Sequence, residues 1–374
     1  MPRVGRSSAD TGLAEQLSTP EKSISPWQVE RWRQGGLIPR ALRRGLGRGA
    51  GSTAAYTPEA IEQAKAVAGL VRRRHALSEV PPVLFIRGYP IEEEVLRRAF
   101  LEWLDRIERW LGTADSDEGR FLLAEQHAHR LLKYSLRTRR GRRLRRRARA
   151  VGEDPDQVAL SAYTNLLFIL QGGEPPVDAI SEMLDVAGAG ALFRDRVPGA
   201  GPIAPGIDDA LIEVLRQANL RTLRRTVLEA SLADFAWARG VLLLVAPFAR
   251  AFASVAQTIF RLPDAFGFTE LGAVADDEYT IANGIPMLLL IRQVADSEDA
   301  RQLFGLMRDK LDYYRASAAF LESLPAHIRT RLPSKDPALL DELPPKERGR
   351  IRKAAAQLTI QGEAQGYGVD EEPK

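Results

Sequence analysis

The chain has 374 residues, 45% hydrophobic and 27% charged, which accommodates two or three domains with real cores and excludes both a miniprotein and a chain disordered throughout. Zero cysteines exclude a disulfide scaffold, thiol catalysis and every thiolate metal site. The net charge of +4 conceals a split, because residues 1–150 carry 30 Lys and Arg against 17 Asp and Glu, whereas residues 151–374 carry 23 against 32, so a basic half suited to phosphates is joined to an acidic half that is not.

Residues 1–10 lack the apolar run of a secretion signal, and we expect a disordered arm on a cytoplasmic chain. Thr11 to Val80 reads as two short helices, a basic glycine-rich loop and a longer helix. Ala14 and Leu17 lie on a first short helical turn that Pro20 ends. Ser25 is placed to cap a second helix, Pro26 to Gln34, whose first position suits proline. In that helix Val29 faces inward with Trp32, Leu37 and Ile38 as further core candidates, while Gln28, Arg31 and Trp27 face elsewhere. Gly35-Gly36 ends the helix. In RALRRGLGRGAGSTAAYT four glycines alternate with Arg43, Arg44 and Arg48, which predicts a hairpin with a cationic tip. Pro58 then opens a helix with Ile61, Ala64, Val67, Ala68 and Val71 at helical spacing and Arg72, Arg73 and Arg74 near its end.

These residues, VERWRQGGLIP, the glycine-rich hairpin closing in YTPEAIEQA and the helix ending in RRRHALSEV, resemble the winged helix-turn-helix of MerR-type regulators over about residues 11–80. The resemblance implies that the helix bearing Trp27, Gln28 and Arg31 enters the major groove of double-stranded DNA, that Arg43, Arg44 and Arg48 belong to the wing, and that Tyr56 is the tyrosine closing it. It also implies a role in transcription regulation. Elementary chemistry points the same way, since Gln and Arg read base edges and wing arginines grip phosphates. The chain departs from the family pattern in having Ala54 where an arginine usually stands, a longer wing, and Pro81-Pro82 where one long dimerisation helix commonly begins.

Residues 81–150 form a helical connector. Ile91 to Leu111 places Leu96, Phe100, Trp103, Leu104, Ile107 and Leu111 on one helix face. The run from Arg137 to Arg149 holds nine arginines in thirteen residues; their mutual repulsion predicts a frayed helix or solvated linker that adds phosphate contacts, with Arg142, Arg145 and Arg146 as candidate DNA-binding residues. Residues 151–330 read as an all-α domain with apolar segments near Val158 to Leu170, Val177 to Val186, Ala210 to Ala230, Leu232 to Phe260 and Ile281 to Val294. Its aromatic residues Phe235, Trp237, Phe248, Phe252, Phe260, Phe266 and Phe268 are expected to pack in a core, with the lining of a ligand pocket as the alternative. The apolar part of Gly240 to Phe260 is too short to span a membrane, and residues 331–374 predict a weak helix and a disordered tail.

Signatures of catalysis and cofactor binding are missing: there is no Walker loop, dinucleotide fingerprint, HExxH or GxSxG. His127 and His129 have poor metal-ligand spacing, and Asp208-Asp209 and Asp276-Asp277-Glu278 read as helix-start acids. The sequence therefore predicts a mostly α protein, not an enzyme, with no metal or cofactor. It is expected to be a sequence-specific DNA-binding transcriptional regulator whose helical C-terminal domain serves homo-oligomerisation or sensing. The alternatives are an architectural or excisionase-like DNA-binding protein of low specificity, an interaction module docking an acidic protein surface, and a helical enzyme with a buried Asp, Glu or His cluster in residues 151–330.

Overall fold

The computed structural model describes residues 7–20, 23–45, 52–72, 75–135, 154–187, 207–259, 278 and 282–294, with a few positions between 308 and 322. The described residues are mostly helical, with one two-stranded antiparallel sheet. The chain divides into two compact units. The first comprises residues 1–110, 224–239 and 278–289; the second comprises the remainder.

The first unit opens with α1 (Ser8–Leu17), whose Ala9, Leu13, Ala14 and Leu17 are buried at helical spacing. This helix begins earlier than the turn expected near Ala14, and Asp10 within it is buried rather than part of a disordered arm. Helix α2 (Pro26–Gln34) follows, started by a capping box: the Ser25 hydroxyl accepts from the Gln28 N–H at 3.3 Å, and the Gln28 carbonyl oxygen accepts from the Ser25 N–H at 2.8 Å. Its end is a Schellman turn, in which Leu37 N donates to Trp32 O and Gly36 N to Arg33 O. Gly36 there has φ +72°, and a Cβ on it would meet Val95 at 2.5 Å, so glycine serves both the left-handed turn and the close approach.

The hairpin pairs β1 (Leu42–Gly45) with β2 (Ser52–Ala55), Arg43 opposite Ala54 and Arg44 opposite Thr53. Helix α3 (Pro58–Arg72) starts with the Thr57 hydroxyl accepting from Ala60 N, buries Ala60, Gln63, Ala64, Val67, Ala68 and Leu70, and ends with Arg72 donating to Leu17 O. The fully buried Gln63 amide donates to Leu37 O at 2.9 Å, tying α3 to the turn after α2. A 3₁₀ turn (Leu77–Glu79) leads into α4 (Val80–Ile86), in which Pro81 and Pro82 occupy first-turn positions that need no N–H. Helix α5 (Glu93–Leu111) buries Val95, Leu96, Ala99, Phe100, Leu104 and Leu111; Trp103 and Ile107 are only partly covered.

Distant chain segments complete this unit. Phe235 is fully buried and stacks on Phe100 at 5.7 Å. Arg224 bonds Asp105 at 2.6 Å and Glu108 at 2.7 Å, and Arg97 donates to Ala230 O at 3.0 Å while pairing with Glu93 and Glu94. Glu93 also accepts from Leu232 N, and its carboxyl is held below the usual range by Arg97 first and by that N–H second. Glu278 pairs with Arg87 through both carboxylate oxygens rather than only opening a helix.

In the second unit α6 (Asp117–Ser135) packs on α7 (Pro155–Leu170), and α7 on α8 (Val177–Ala187). Helix α7 is capped by Asp154, which accepts from Asp156 N and Gln157 N. The apolar segment expected from Ala210 to Ala230 is two helices, α9 (Ile207–Gln217) and α10 (Leu220–Glu229), because Asn219 accepts from Thr222 N and restarts the chain. Helix α11 (Leu232–Ile259) and α12 (Ile285–Val294) follow, of which residues 232–239 and 285–289 belong to the first unit. Among the described residues no helix is long and apolar enough to cross a membrane.

Candidate nucleic-acid interface

Helix α2 has one sealed and one open face. Val29 and Trp32 are 0% and 2% exposed, whereas Trp27 is 60% exposed and Arg31 lies beside it on the outer surface. One helical turn separates Trp27 from Arg31, and the guanidinium stands 5.6 Å from the centre of the indole ring, within the range of cation–π attraction. The contact aligns Arg31 and leaves its N–H donors available.

Gln28 is on this face, but its carbonyl oxygen is engaged by Ser25 N in the capping box. Only the amide N–H₂ remains to present outward, so the bidentate pairing that an unhindered glutamine offers to adenine requires the cap to open. The Ser-x-x-Gln spacing was the sequence signal for this engagement. Arg33 faces inward, 3.6 Å from Asp10.

Arg43 and Arg44 sit on exposed β1 and make no ion pair among the described residues. Strand alternation sends them to opposite faces of the ribbon. Opposite Arg43 stands only the methyl of Ala54, which leaves its long side chain unobstructed. Arg40, just ahead of the strand, is also exposed; sequence reasoning passed over it, although its place next to Pro39 and the hairpin was visible. Arg48, Arg142, Arg145 and Arg146 lie outside the described residues.

Tyr56 is used differently from a solvent-facing donor. Its hydroxyl donates to the buried carboxylate of Asp10, which Arg33 also approaches. Burial first, and the Asp10 carboxylate second, push the phenol well above its ordinary value. The tyrosine that ends the hairpin thereby clamps it to α1 and α2. Glu59, exposed in the first turn of α3, is held below the usual carboxylate range by its own backbone N–H and then by the Thr57 hydroxyl.

Beside α2 lies a cleft of 560 Å³, formed with the 3₁₀ turn, α4 and α5. Leu37, Leu77, Pro81, Val95 and Ala99 supply its apolar lining, and Arg31, Gln34, Arg98 and Glu102 its polar one. In the second unit His127 is buried and His129 exposed. The described residues contain no group of three or more His, Asp or Glu able to hold a metal ion. No family model matches the chain, and comparison with curated proteins and with solved structures gave no match.

Proposed function

We propose that the first 80 residues bind double-stranded DNA, with α2 as the groove-reading helix and the β1–β2 hairpin as a phosphate-gripping wing. The observation that carries this reading is the two-faced α2: Val29 and Trp32 anchor it to the core, and on the other side Trp27 and Arg31 are exposed beside a half-buried Gln28. Buried anchors hold the helix at a fixed angle, as base readout requires, and the unpaired arginines of β1 supply the charge that grips phosphate. The resemblance to MerR-type winged helix-turn-helix modules supports the same assignment. On this reading the protein is a transcriptional regulator, and its helical remainder serves self-association or sensing.

Footprinting on genomic fragments selected by the purified protein tests the proposal. A short protected operator is the expected result. Protection with little sequence preference and a steep salt slope favours the architectural alternative instead. Failure to shift any duplex at low salt overturns DNA binding.

A further inference from the structure

The cleft beside α2 contains two guanidinium groups, Arg31 and Arg98, that no carboxylate pairs with among the described residues. On α5, Arg97 is held by Glu93 and Glu94 and Arg106 by Glu79 and Ser78. Arg98 has no ion pair among the described residues, although Glu102 follows one turn later on the same helix. Arg31 makes no ion pair among the described residues; its guanidinium lies over the Trp27 ring, and that contact leaves its N–H donors unspent. The same cleft has an apolar lining, of which Leu37, Pro81, Val95 and Ala99 are all buried. The volume of 560 Å³ is that of a small-molecule site.

We propose that this cleft binds a small organic anion with an apolar body, its carboxylate or equivalent group held by Arg98 and Arg31 and its hydrocarbon part against Leu37, Pro81 and Val95. The apolar lining selects against a bare phosphate, which would leave that surface unused. Glu102 weakens binding by charge repulsion and so limits the site to modest affinity. One consequence rests on the DNA-binding reading: an anion held by Arg31 occupies donors that base contacts need, so ligand and duplex oppose each other reciprocally.

Calorimetry on the full chain without DNA tests the site, with octanoate as probe, octanamide as its uncharged counterpart and inorganic phosphate as a charge without an apolar body. We expect octanoate to bind with a dissociation constant below about 1 mM, and both controls to bind at least about tenfold more weakly. Arg98→Ala should weaken octanoate by on the order of tenfold, and Glu102→Gln, also on the surface, should tighten it by about twofold. No heat with octanoate, equal binding of phosphate, or unchanged affinity in both variants overturns the proposal. In a separate mobility-shift arm, saturating octanoate should weaken duplex binding by about fivefold or more. Octanoate binding without that effect overturns the antagonism. A chain that binds octanoate but no duplex leaves the site standing and removes the DNA reading.

Discussion

Asp10, Tyr56 and Arg33 show what a single buried carboxylate does in a small head. Asp10 is 4% exposed and would be costly to bury alone; the Tyr56 hydroxyl and the Arg33 guanidinium offset that cost and lock the hairpin exit to α1 and α2. Tyr56→Phe removes one partner from the buried acid and should lower stability by about 1 to 3 kcal/mol in urea unfolding. The phenol keeps its proton more firmly folded than unfolded. The clamp's contribution is therefore complete below pH 10.0 and is lost as pH rises beyond that value; in a spectrophotometric titration Tyr56 should ionise after the exposed tyrosines. Gly36 makes a second residue-scale prediction. With φ +72° and Val95 at 2.5 Å from any added Cβ, Gly36→Ala should cost about 1 to 3 kcal/mol, and adding Val95→Ala should recover only the steric part and not the backbone strain. The left-handed turn at Gly36 was legible in Gly35-Gly36, but its close approach to Val95 and the Asp10 clamp were not. Asp10 and Tyr56 are 46 residues apart, and no local pattern pairs them.

At the scale of elements the sequence was most readable where punctuation is chemical. Ser25-Pro26 opens α2 and Gly35-Gly36 closes it, and the same two signals gave Pro26 to Gln34 from the residues alone. The hairpin followed from glycine spacing between arginines. The Ala218–Asn219 break between α9 and α10 was missed because apolar periodicity ran through it, although Asn219 three residues before Thr222 is a usable cap signal. On the proposed DNA-binding reading, function divides along the same elements. Arg31→Ala should then lower duplex affinity and relax base preference, because donors aimed at base edges are lost. Arg43→Ala should weaken all sequences alike and flatten the salt slope by about one, because a charge meant for phosphate is lost. Equilibrium titrations of both variants on two duplexes at several salt concentrations separate the two behaviours, and identical responses would remove the division of labour between helix and wing.

Across the whole molecule, charge composition suggested a boundary near residue 150, whereas the compact first unit recruits residues 224–239 and 278–289. Only tertiary contacts reveal this: Phe235 on Phe100, and Arg224 reaching back 119 residues to Asp105. All five tryptophans, Trp27, Trp32, Trp103, Trp110 and Trp237, fall in that unit, so intrinsic fluorescence reports its unfolding selectively. Phe235→Ala should destabilise it by about 3 to 5 kcal/mol in denaturant titrations read by fluorescence; a change below about 1 kcal/mol would mean that the returning segment is dispensable.

The claim on which the account turns is that α2 and the hairpin bind a duplex as one surface. The most direct measurement is the affinity of the full chain for its selected genomic fragment, compared with Arg31→Ala, Arg43→Ala and the double variant at fixed salt. Losses for both single variants and a larger loss for the double, with fluorescence-monitored stability unchanged, are the predicted result. Parent-like affinity in all three variants would contradict it.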